Sequence, residues 1–300
     1  MMRDLSLRKL RYVMAVAKSG RVIQAAVDLN VSQSSITTGV KEVEEQLGVA
    51  LFRRTSRGMI LTREGNRFLQ RVNYAFQALN DAFDSLEDTH STLKGTLRLA
   101  MTYTVAGYFM PPLLAQFQRR YPWVRVELHE VPRPDIEQGL KAGDFDLATI
   151  LTSNIEHYQW LETLTLTQSK RRLWVNGQHE LLKQEHITLR DIAHYPYIML
   201  TVDEADQSAM KYWKPEGLTP NILFRTSSVE AVRSMVANGT GITLLSDMVY
   251  RPWSLDGKRI EHIELSNPIP PMELGLSWPR HRPLSPAAKA FRELAQSYSA

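Results

Sequence analysis

Five hydroxyl side chains and one amide stand within the seven residues "SQSSITT", from Ser32 to Thr38. Serine and threonine hydroxyls exchange hydrogen bonds with bases and phosphates, and a glutamine amide bonds adenine through two atoms. One hydroxyl is enough to cap a helix, and Ser32 is placed to do so. The others are either solvated surface or nucleic-acid contacts. The candidate contacts on this segment are Ser32, Gln33, Ser34, Ser35, Thr37, Thr38 and Lys41.

Helices must position this run. Apolar residues at helical spacing predict one helix over 5–19, a short second helix that ends at Asn30, and a third from Ser32 to Leu47, closed by Gly48. Two helices joined by a turn of a few residues form a helix-turn-helix, and the second helix presents its first residues to the major groove. The hydroxyl run therefore lies where such a helix meets base edges.

The next segment, "LFRRTSRGMILT" (51–62), alternates in polarity and turns at Ser56 to Gly58, which predicts a hairpin wing. Arg53, Arg54 and Arg57 near its tip are candidate phosphate contacts, which make binding salt-dependent without reading sequence.

A long helix is predicted after the wing, with Thr62 as its cap. Its apolar residues step by four and three, which favours a coiled-coil seam and a homodimer formed through this helix. The alternative is that the seam packs against the second domain of the same chain. The seam residues are Val72, Phe76, Leu79, Phe83 and Leu86.

Charge is divided unevenly along the chain. Residues 1–71 carry 13 Lys and Arg against 6 Asp and Glu, a net +7, whereas residues 72–300 carry 23 against 26, a net −3. This asymmetry indicates a small nucleic-acid-binding module attached to a neutral body, although a solvated basic face is the alternative. The first residues lack the apolar stretch of a signal peptide, so we expect a cytoplasmic protein and no contact with membranes.

Four segments resemble the LysR-type transcriptional regulators: "LRYVMAVAKSG", "AAVDLNVSQSSIT", "EVEEQLGVALFRR" and "LTREGNRFL". The resemblance implies a winged helix-turn-helix over 1–62, a dimerising linker helix over 63–91 and an effector-binding domain over 92–300. It also implies binding to a double-stranded DNA operator, a homotetramer and contact with RNA polymerase. The chain departs from the family where Pro-Ala is replaced by Ser34-Ser35, and where a basic residue and Gln are replaced by Thr38-Gly39. Gly39 either admits a phosphate to the backbone or is simply tolerated.

After residue 96, strand-like runs alternate with helical segments, which predicts an α/β architecture. The resemblance implies two α/β lobes like those of periplasmic solute-binding proteins, with crossings near 162–168 and 266–271. Lobe I would hold about 92–165 and 268–300, and lobe II about 166–267.

Ligands of open α/β sheets bind beyond the carboxyl ends of strands. Polar side chains at these ends are the candidate effector contacts, and each hydroxyl among them has the alternative role of a helix cap. No basic residue is singled out, so the charge of the small-molecule effector stays open. The candidates are Thr102, Tyr103, Thr104, Thr149, Thr152, Thr201, Ser227 and Ser228.

Enzyme motifs are missing from the sequence: it contains no G-x-S-x-G elbow, no phosphate-binding G-x-x-x-x-G-K-[ST] and no cysteine. Asp144 and Asp146 are a conceivable carboxylate pair, but the resemblance assigns them to a helix-to-strand turn. We therefore predict a regulator that is not an enzyme, with no metal and no cofactor besides the effector. The alternative is a solute-binding or enzymatic α/β protein with an incidental basic N-terminal module.

Overall fold

A computed structural model describes residues 5–55, 58–87, 92–155 and 159–299. The chain divides into two compact units, residues 1–89 and residues 90–300. Within the described ranges, no helix is both long and apolar enough to cross a bilayer.

The N-terminal unit begins with three helices, as the apolar spacing predicts. Gly20 and Gly48 end the first and third helices in the left-handed conformation, with φ of 68° and 70°, where glycine has no steric penalty. Their buried apolar faces form one core together with the start of the wing. The helices are α1 (Leu7–Ser19), α2 (Val22–Asp28) and α3 (Gln33–Leu47).

The predicted wing and long helix follow. The strands β1 (Phe52–Thr55) and β2 (Gly58–Leu61) pair antiparallel, and α4 (Arg63–Glu87) comes next. Thr62 caps α4 as expected, since its hydroxyl accepts a 2.9 Å hydrogen bond from the amide of Gly65.

Part of the predicted seam of α4 is covered within the unit itself. Val72 and Phe76 are 5% and 9% exposed, and the guanidinium of Arg11 on α1 lies 5.7 Å from the centre of the Phe76 ring. Leu79 is half-buried. The side chains of Phe83 and Leu86 lie outside the described part of the chain, so the seam as a whole stays a prediction.

The second unit alternates strands and helices. The segment 103–120 forms two helices rather than one, because Pro111 and Pro112 have no amide hydrogen and start a new helix. The first seven elements are β3 (Gly95–Met101), α5 (Tyr103–Tyr108), α6 (Met110–Arg120), β4 (Val124–Glu130), α7 (Arg133–Ala142), β5 (Leu147–Leu151) and β6 (Leu161–Ser169).

The remaining elements repeat this alternation. They are β7 (Arg171–Asn176), α8 (Leu189–Ile192), β8 (Pro196–Leu200), α9 (Ala205–Trp213), β9 (Asn221–Thr226), α10 (Val229–Ala237), β10 (Thr243–Ser246), β11 (Ile260–Ile263), β12 (Met272–Pro279) and α11 (Pro286–Ser299).

Two sheets organise this unit into two lobes of the same plan. In lobe I the strand order is β4-β3-β5-β12-β6, with the first three parallel and β12 antiparallel to both neighbours. In lobe II, β9 and β8 are parallel, a bridge from Tyr197 to Ile242 sets β8 beside β10, and β10-β7-β11 are antiparallel. The carboxyl ends of β3 and β5 in lobe I and of β8 and β9 in lobe II therefore supply the residues of one cleft.

The crossing between the lobes comes later than expected. β6 stays in the sheet of lobe I as far as Ser169, which pairs with Met272, so the chain crosses at Lys170 rather than within 162–168. The segment "LETLTLTQS" alternates in polarity as a half-buried strand does, and that pattern outweighs the boundary implied by the resemblance.

Candidate nucleic-acid surface and inter-lobe cleft

All seven candidate contacts on α3 and its cap are exposed. Ser32 does cap the helix, accepting from the amide of Ser35 at 3.1 Å, and its hydroxyl also lies 2.8 Å from those of Ser34 and Ser35. Thr37 donates to the carbonyl of Gln33 at 2.9 Å. Four of the five hydroxyls thus have a partner within the helix.

Gln33 and Thr38 stand apart from this network, because their side chains form no hydrogen bond within the described part of the chain. Lys41 lies 3.5 Å from Glu45, with both side chains more than half exposed, so the charge of Lys41 stays available to a phosphate. Gln33, Thr38 and Lys41 are therefore the side chains of α3 that are most free to reach a nucleic acid.

Gly39 has a packing role that neither interpretation from the sequence anticipated. It is buried, and a Cβ at this position would lie 2.6 Å from Cδ2 of Tyr12 on α1. Since Tyr12 is itself only 7% exposed, its ring has little room to move. Glycine thus lets α1 approach α3 closely.

The wing is tied to α3 by one carboxylate. Oε1 of Glu44 accepts from the amides of Leu51 and Phe52 at 2.6 and 3.0 Å, which satisfies two backbone donors at the start of the hairpin. Arg53 and Arg54 are exposed on β1. Arg57 lies outside the described residues.

In the second unit, a cavity of about 570 Å³ opens between the lobes. Four of the eight candidate effector contacts line it, namely Thr102, Tyr103, Thr201 and Ser227. Its lobe I wall also includes Glu130, Arg133, Leu151 and Asn154, and its lobe II wall includes Val202, Asp203 and Glu204.

The other four candidates lie outside the lining of this cavity. Thr104 and Thr149 are buried, at 4% and 0% exposure. Ser228 caps α10, accepting from the amide of Ala231 at 3.1 Å, so the alternative role as a helix cap holds there. Thr152 begins a short 3-10 turn beyond β5.

Three threonine hydroxyls at this end of the lobe I sheet have no hydrogen-bond partner among the described residues: those of Thr102, Thr149 and Thr152. A buried hydroxyl left without a partner costs about 1–3 kcal/mol. Only Thr102 of the three also lines the cavity, so a bound molecule can satisfy that hydroxyl.

Two acidic residues that the sequence interpretation missed, Asp203 and Glu204, form contacts from lobe II to lobe I across the cleft. Asp203 and Glu204 have left-handed backbones, with φ of 52° and 59°, a conformation that costs roughly 1–2 kcal/mol per residue. The carboxylate of Asp203 accepts from the amide of Thr104 at 2.6 Å. Its carbonyl accepts from the amide group of Asn154 at 2.9 Å.

Glu204 completes this inter-lobe contact by pairing with Arg133 at 2.8 Å. Arg133 also pairs with Glu137 at 2.6 Å, and the hydrogen bond that Arg133 donates to Glu204 is the main reason that the pKa of Arg133 is raised. Strained backbone tends to persist where surrounding contacts hold it, often at functional sites. The acidic dipeptide two residues after Thr201, just beyond the carboxyl end of β8, was the available signal in the sequence.

A second cavity, of about 450 Å³, shares Tyr103 and Glu130 with the first. Lobe I adds Ala106, Gly107 and Tyr108, and lobe II adds Glu230, Arg233 and Arg251. The cleft therefore contains basic residues that the sequence interpretation did not single out. Arg233 stands among Val229, Val232 and Val236 on the apolar face of α10, and a charge in such a stripe was the available signal.

The carboxylates of the turn before β5 are structural. Asp146 accepts from the amide of Arg98 at 2.8 Å and from its guanidinium at 2.9 Å. These bonds hold the turn against β3, as expected for a helix-to-strand connection. Within the described ranges, no group of three or more His, Asp or Glu residues is placed to hold a metal ion.

Comparison with known proteins covers both units. Residues 7–66 match the family described as "Bacterial regulatory helix-turn-helix protein, lysR family", and residues 90–300 match the "LysR substrate binding domain".

Individual relatives match along their whole length. The chain is 28% identical over 299 residues to the uncharacterized HTH-type transcriptional regulator YybE of Bacillus subtilis, covering 97% of this chain and 98% of the relative. It is 27% identical over 300 residues to OxyR of Escherichia coli, a DNA-binding transcriptional dual regulator, covering 99% and 95%. The crystal structure of HinK, a LysR family transcriptional regulator from Pseudomonas aeruginosa, matches with a TM-score of 0.65 at 28% identity, covering 99% of each chain.

Proposed function

Since the chain belongs to the LysR family of bacterial DNA-binding transcriptional regulators, we propose that it reads an operator with α3 and its wing while a small molecule in the inter-lobe cleft controls the output. The relatives compared are regulators, which decides against the enzymatic and solute-binding alternatives. The surface of α3 supports the DNA-reading role, because its outward residues are polar and its apolar residues are buried.

On that surface we assign different tasks to different side chains. Gln33 and Thr38 read base edges, whereas Lys41 and Arg54 neutralise phosphates; Arg53 and Arg57 of the wing are assigned to phosphates as well. Ser32, Ser34, Ser35 and Thr37 mainly order the start of the helix, and their free lone pairs remain able to accept from bases or bond phosphates.

DNA binding is tested by retardation of the chain's own upstream DNA across a range of salt concentrations. The expected result is a retarded fragment whose log affinity falls linearly with log salt, because cations are released from phosphates. Absence of retardation at low salt, or binding that does not depend on salt, would contradict the assignment.

For the effector, one observation carries the proposal: Thr102 lines the cavity between the lobes, and its buried hydroxyl has no partner among the described residues. A ligand atom bonded there relieves the cost of the orphaned hydroxyl. The other candidates that line the cavity, Tyr103, Thr201 and Ser227, are assigned to the same site. Thr104, Thr149, Thr152 and Ser228 are assigned to the surrounding framework.

Thr102→Val tests this site, with Thr149→Val as the matched control, because both hydroxyls are buried without a partner in the described part of the chain, but only Thr102 lines the cavity. A reporter driven by the chain's own operator should lose its condition-dependent response in Thr102→Val and keep it in Thr149→Val, with DNA affinity unchanged in both. Equal loss of response in the two variants would assign Thr102 to folding instead.

Response through a bound molecule, rather than through thiol oxidation, is also favoured by composition. This chain has no cysteine, so a thiolate cannot serve as its oxidant sensor.

We further propose a homodimer through α4 and a homotetramer built from two such dimers, with RNA polymerase as a partner at the promoter. The four- and three-residue steps of the predicted seam support the dimer, and half-buried Leu79 lies on it beyond Val72 and Phe76, which the N-terminal unit itself covers. Leu79→Asp should shift sedimentation toward the monomer and weaken binding to a two-half-site operator. An unchanged oligomer would contradict the role of α4.

A further inference from the structure

The second cavity of the cleft brings together two opposite charges from different lobes. Glu130 stands at the end of β4 in lobe I, and Arg251 follows β10 in lobe II. Neither side chain forms an ion pair with any residue in the described part of the chain. Both charges thus face the same 450 Å³ space without neutralisation.

Arg251 is nonetheless held in place. Its guanidinium donates to the carbonyls of Met248 and Tyr250 at 3.1 and 2.6 Å, and it lies 5.2 Å from the centre of the Tyr108 ring across the lobes. Carbonyls and a ring orient the guanidinium but leave its full positive charge uncancelled. A preorganised cation of this kind is suited to bidentate binding of a carboxylate.

Arg233 adds a second guanidinium to the wall of the cavity, although Glu230, which lines the same cavity, balances its charge. Arg233 is 3% exposed, pairs with Glu230 and donates to the carbonyl of Val249 at 2.9 Å. Its Nε is buried and has no partner among the described residues. A buried guanidinium nitrogen without an acceptor beside a cavity marks a place where a ligand's oxygen gains a hydrogen bond.

The negative charge of Glu130 is not neutralised by the residues that line the first cavity. The carboxylate of Asp203 is engaged with the Thr104 amide, and the only guanidinium there, Arg133, already holds Glu204 and Glu137. Tyr103 lines both cavities. Burial, together with nearby negative charge that includes Glu130, raises the pKa of Tyr103, so its protonated hydroxyl is available as a donor.

We propose that the effector is a small zwitterion of the amino-acid type, with its ammonium on Glu130 and its carboxylate on Arg251 and Arg233. Such a ligand neutralises one bare charge on each lobe and links the lobes across the cleft. A dicarboxylate would place its second negative charge against Glu130, and a diamine would place its second positive charge against the arginines. This inference rests on the proposed effector cleft, extends it to the second cavity, which shares Tyr103 and Glu130 with the first, and specifies its chemistry.

The test uses the full-length protein and defined probes at matched ionic strength. The probes are the α-amino acids and the ω-amino acids from glycine to 6-aminohexanoate, with succinate and glutarate as matched dicarboxylates and putrescine and cadaverine as matched diamines. Thermal stabilisation and calorimetric titration report binding, and retardation of the operator reports DNA affinity. At least one zwitterion should stabilise the protein more than any dicarboxylate or diamine does.

Two neutralising variants then locate the binding groups. Glu130→Gln and Arg251→Gln should each lower the binding affinity for the zwitterion by roughly tenfold or more, which is the scale of one charge-assisted contact. Glu185→Gln and Arg190→Gln, which remove exposed charges outside the cavity lining, should leave its affinity unchanged.

Three results would overturn the inference: a dicarboxylate or diamine that binds as tightly as the best zwitterion, zwitterion binding that survives both neutralising variants, or no binding by any zwitterion in the panel. In each case retained DNA retardation would show that the proposed regulatory function stands and that only the ligand class is wrong. Loss of retardation in the unmodified protein would refute the proposed function instead.

Discussion

Gly39→Ala separates a packing role from a DNA-contact role in α3. The new Cβ would lie 2.6 Å from Cδ2 of the buried Tyr12 ring, and overpacking of this kind costs about 2 kcal/mol. Alanine is favoured over glycine inside a helix by about 1 kcal/mol. The net expectation is a loss of about 1 kcal/mol, or roughly 4–8 °C in the unfolding midpoint of a unit this size.

The assay is scanning calorimetry of the full chain, following the transition of the N-terminal unit. In a Tyr12→Leu background, where the ring is absent, Gly39→Ala should change sign and stabilise by about 1 kcal/mol, a coupling of about 2 kcal/mol. Gly107→Ala lies in the second unit, where no atom is within 4 Å of the added Cβ, and it should leave the transition of the N-terminal unit unchanged. If Gly39→Ala keeps its midpoint but loses DNA affinity, close approach of a phosphate is the reason for glycine and the packing argument fails.

Three further outcomes are expected. Gln33→Ala should reduce the free energy of binding by about 1–3 kcal/mol on the operator alone. Arg54→Ala should lower the affinity for DNA of any sequence and reduce the slope of log affinity against log salt by about one, as measured by retardation. Asp203→Asn should speed hydrogen exchange of the Thr104 amide about fivefold, because a neutral acceptor forms a hydrogen bond that is weaker by about 1 kcal/mol. Unchanged exchange would show that Asp203 does not hold the inter-lobe contact. Burial and two nearby arginines lower the pKa of His262 to about 4, so the unfolded chain binds a proton that the folded chain does not. Stability should therefore fall by about 2 kcal/mol between pH 7 and pH 5, and His262→Gln should flatten that profile in denaturant titrations.

The N-terminal unit was predictable because its signals are local. The apolar spacing of α1 and α3, the caps at Ser32 and Thr62, and the turn glycines each act within a few residues. Gly39 was not predictable for the opposite reason. Its partner Tyr12 lies on another helix, and nothing in the spacing of α3 indicates which of its faces meets that ring.

The residues of the cleft show the same difference between local signals, which the sequence reveals, and packing between distant elements, which it does not. Strand ends are local features, so Thr102, Thr201 and Ser227 were correctly placed at the carboxyl ends of strands, and all three line the cavity. Whether a given hydroxyl then faces the cavity or the interior depends on how the adjoining helix packs. Thr104 and Thr149 consequently lie outside the lining of the cavity, although their positions along the chain look equivalent.

The charge of the cleft is the least local property of all, and it decides the ligand. Glu130 and Arg251 meet one cavity only because the two lobes face each other, and no pattern in the sequence links positions that far apart. The inter-lobe contact formed by Asp203 and Glu204, called the latch below, also depends on how the two lobes face each other. Its two left-handed residues cost roughly 1–2 kcal/mol each, which the bonds to Thr104 and Arg133 offset only while the lobes are together. A ligand that neutralises charge on both lobes adds to the same closed arrangement, so ligand and latch should reinforce one another by differential affinity for that state.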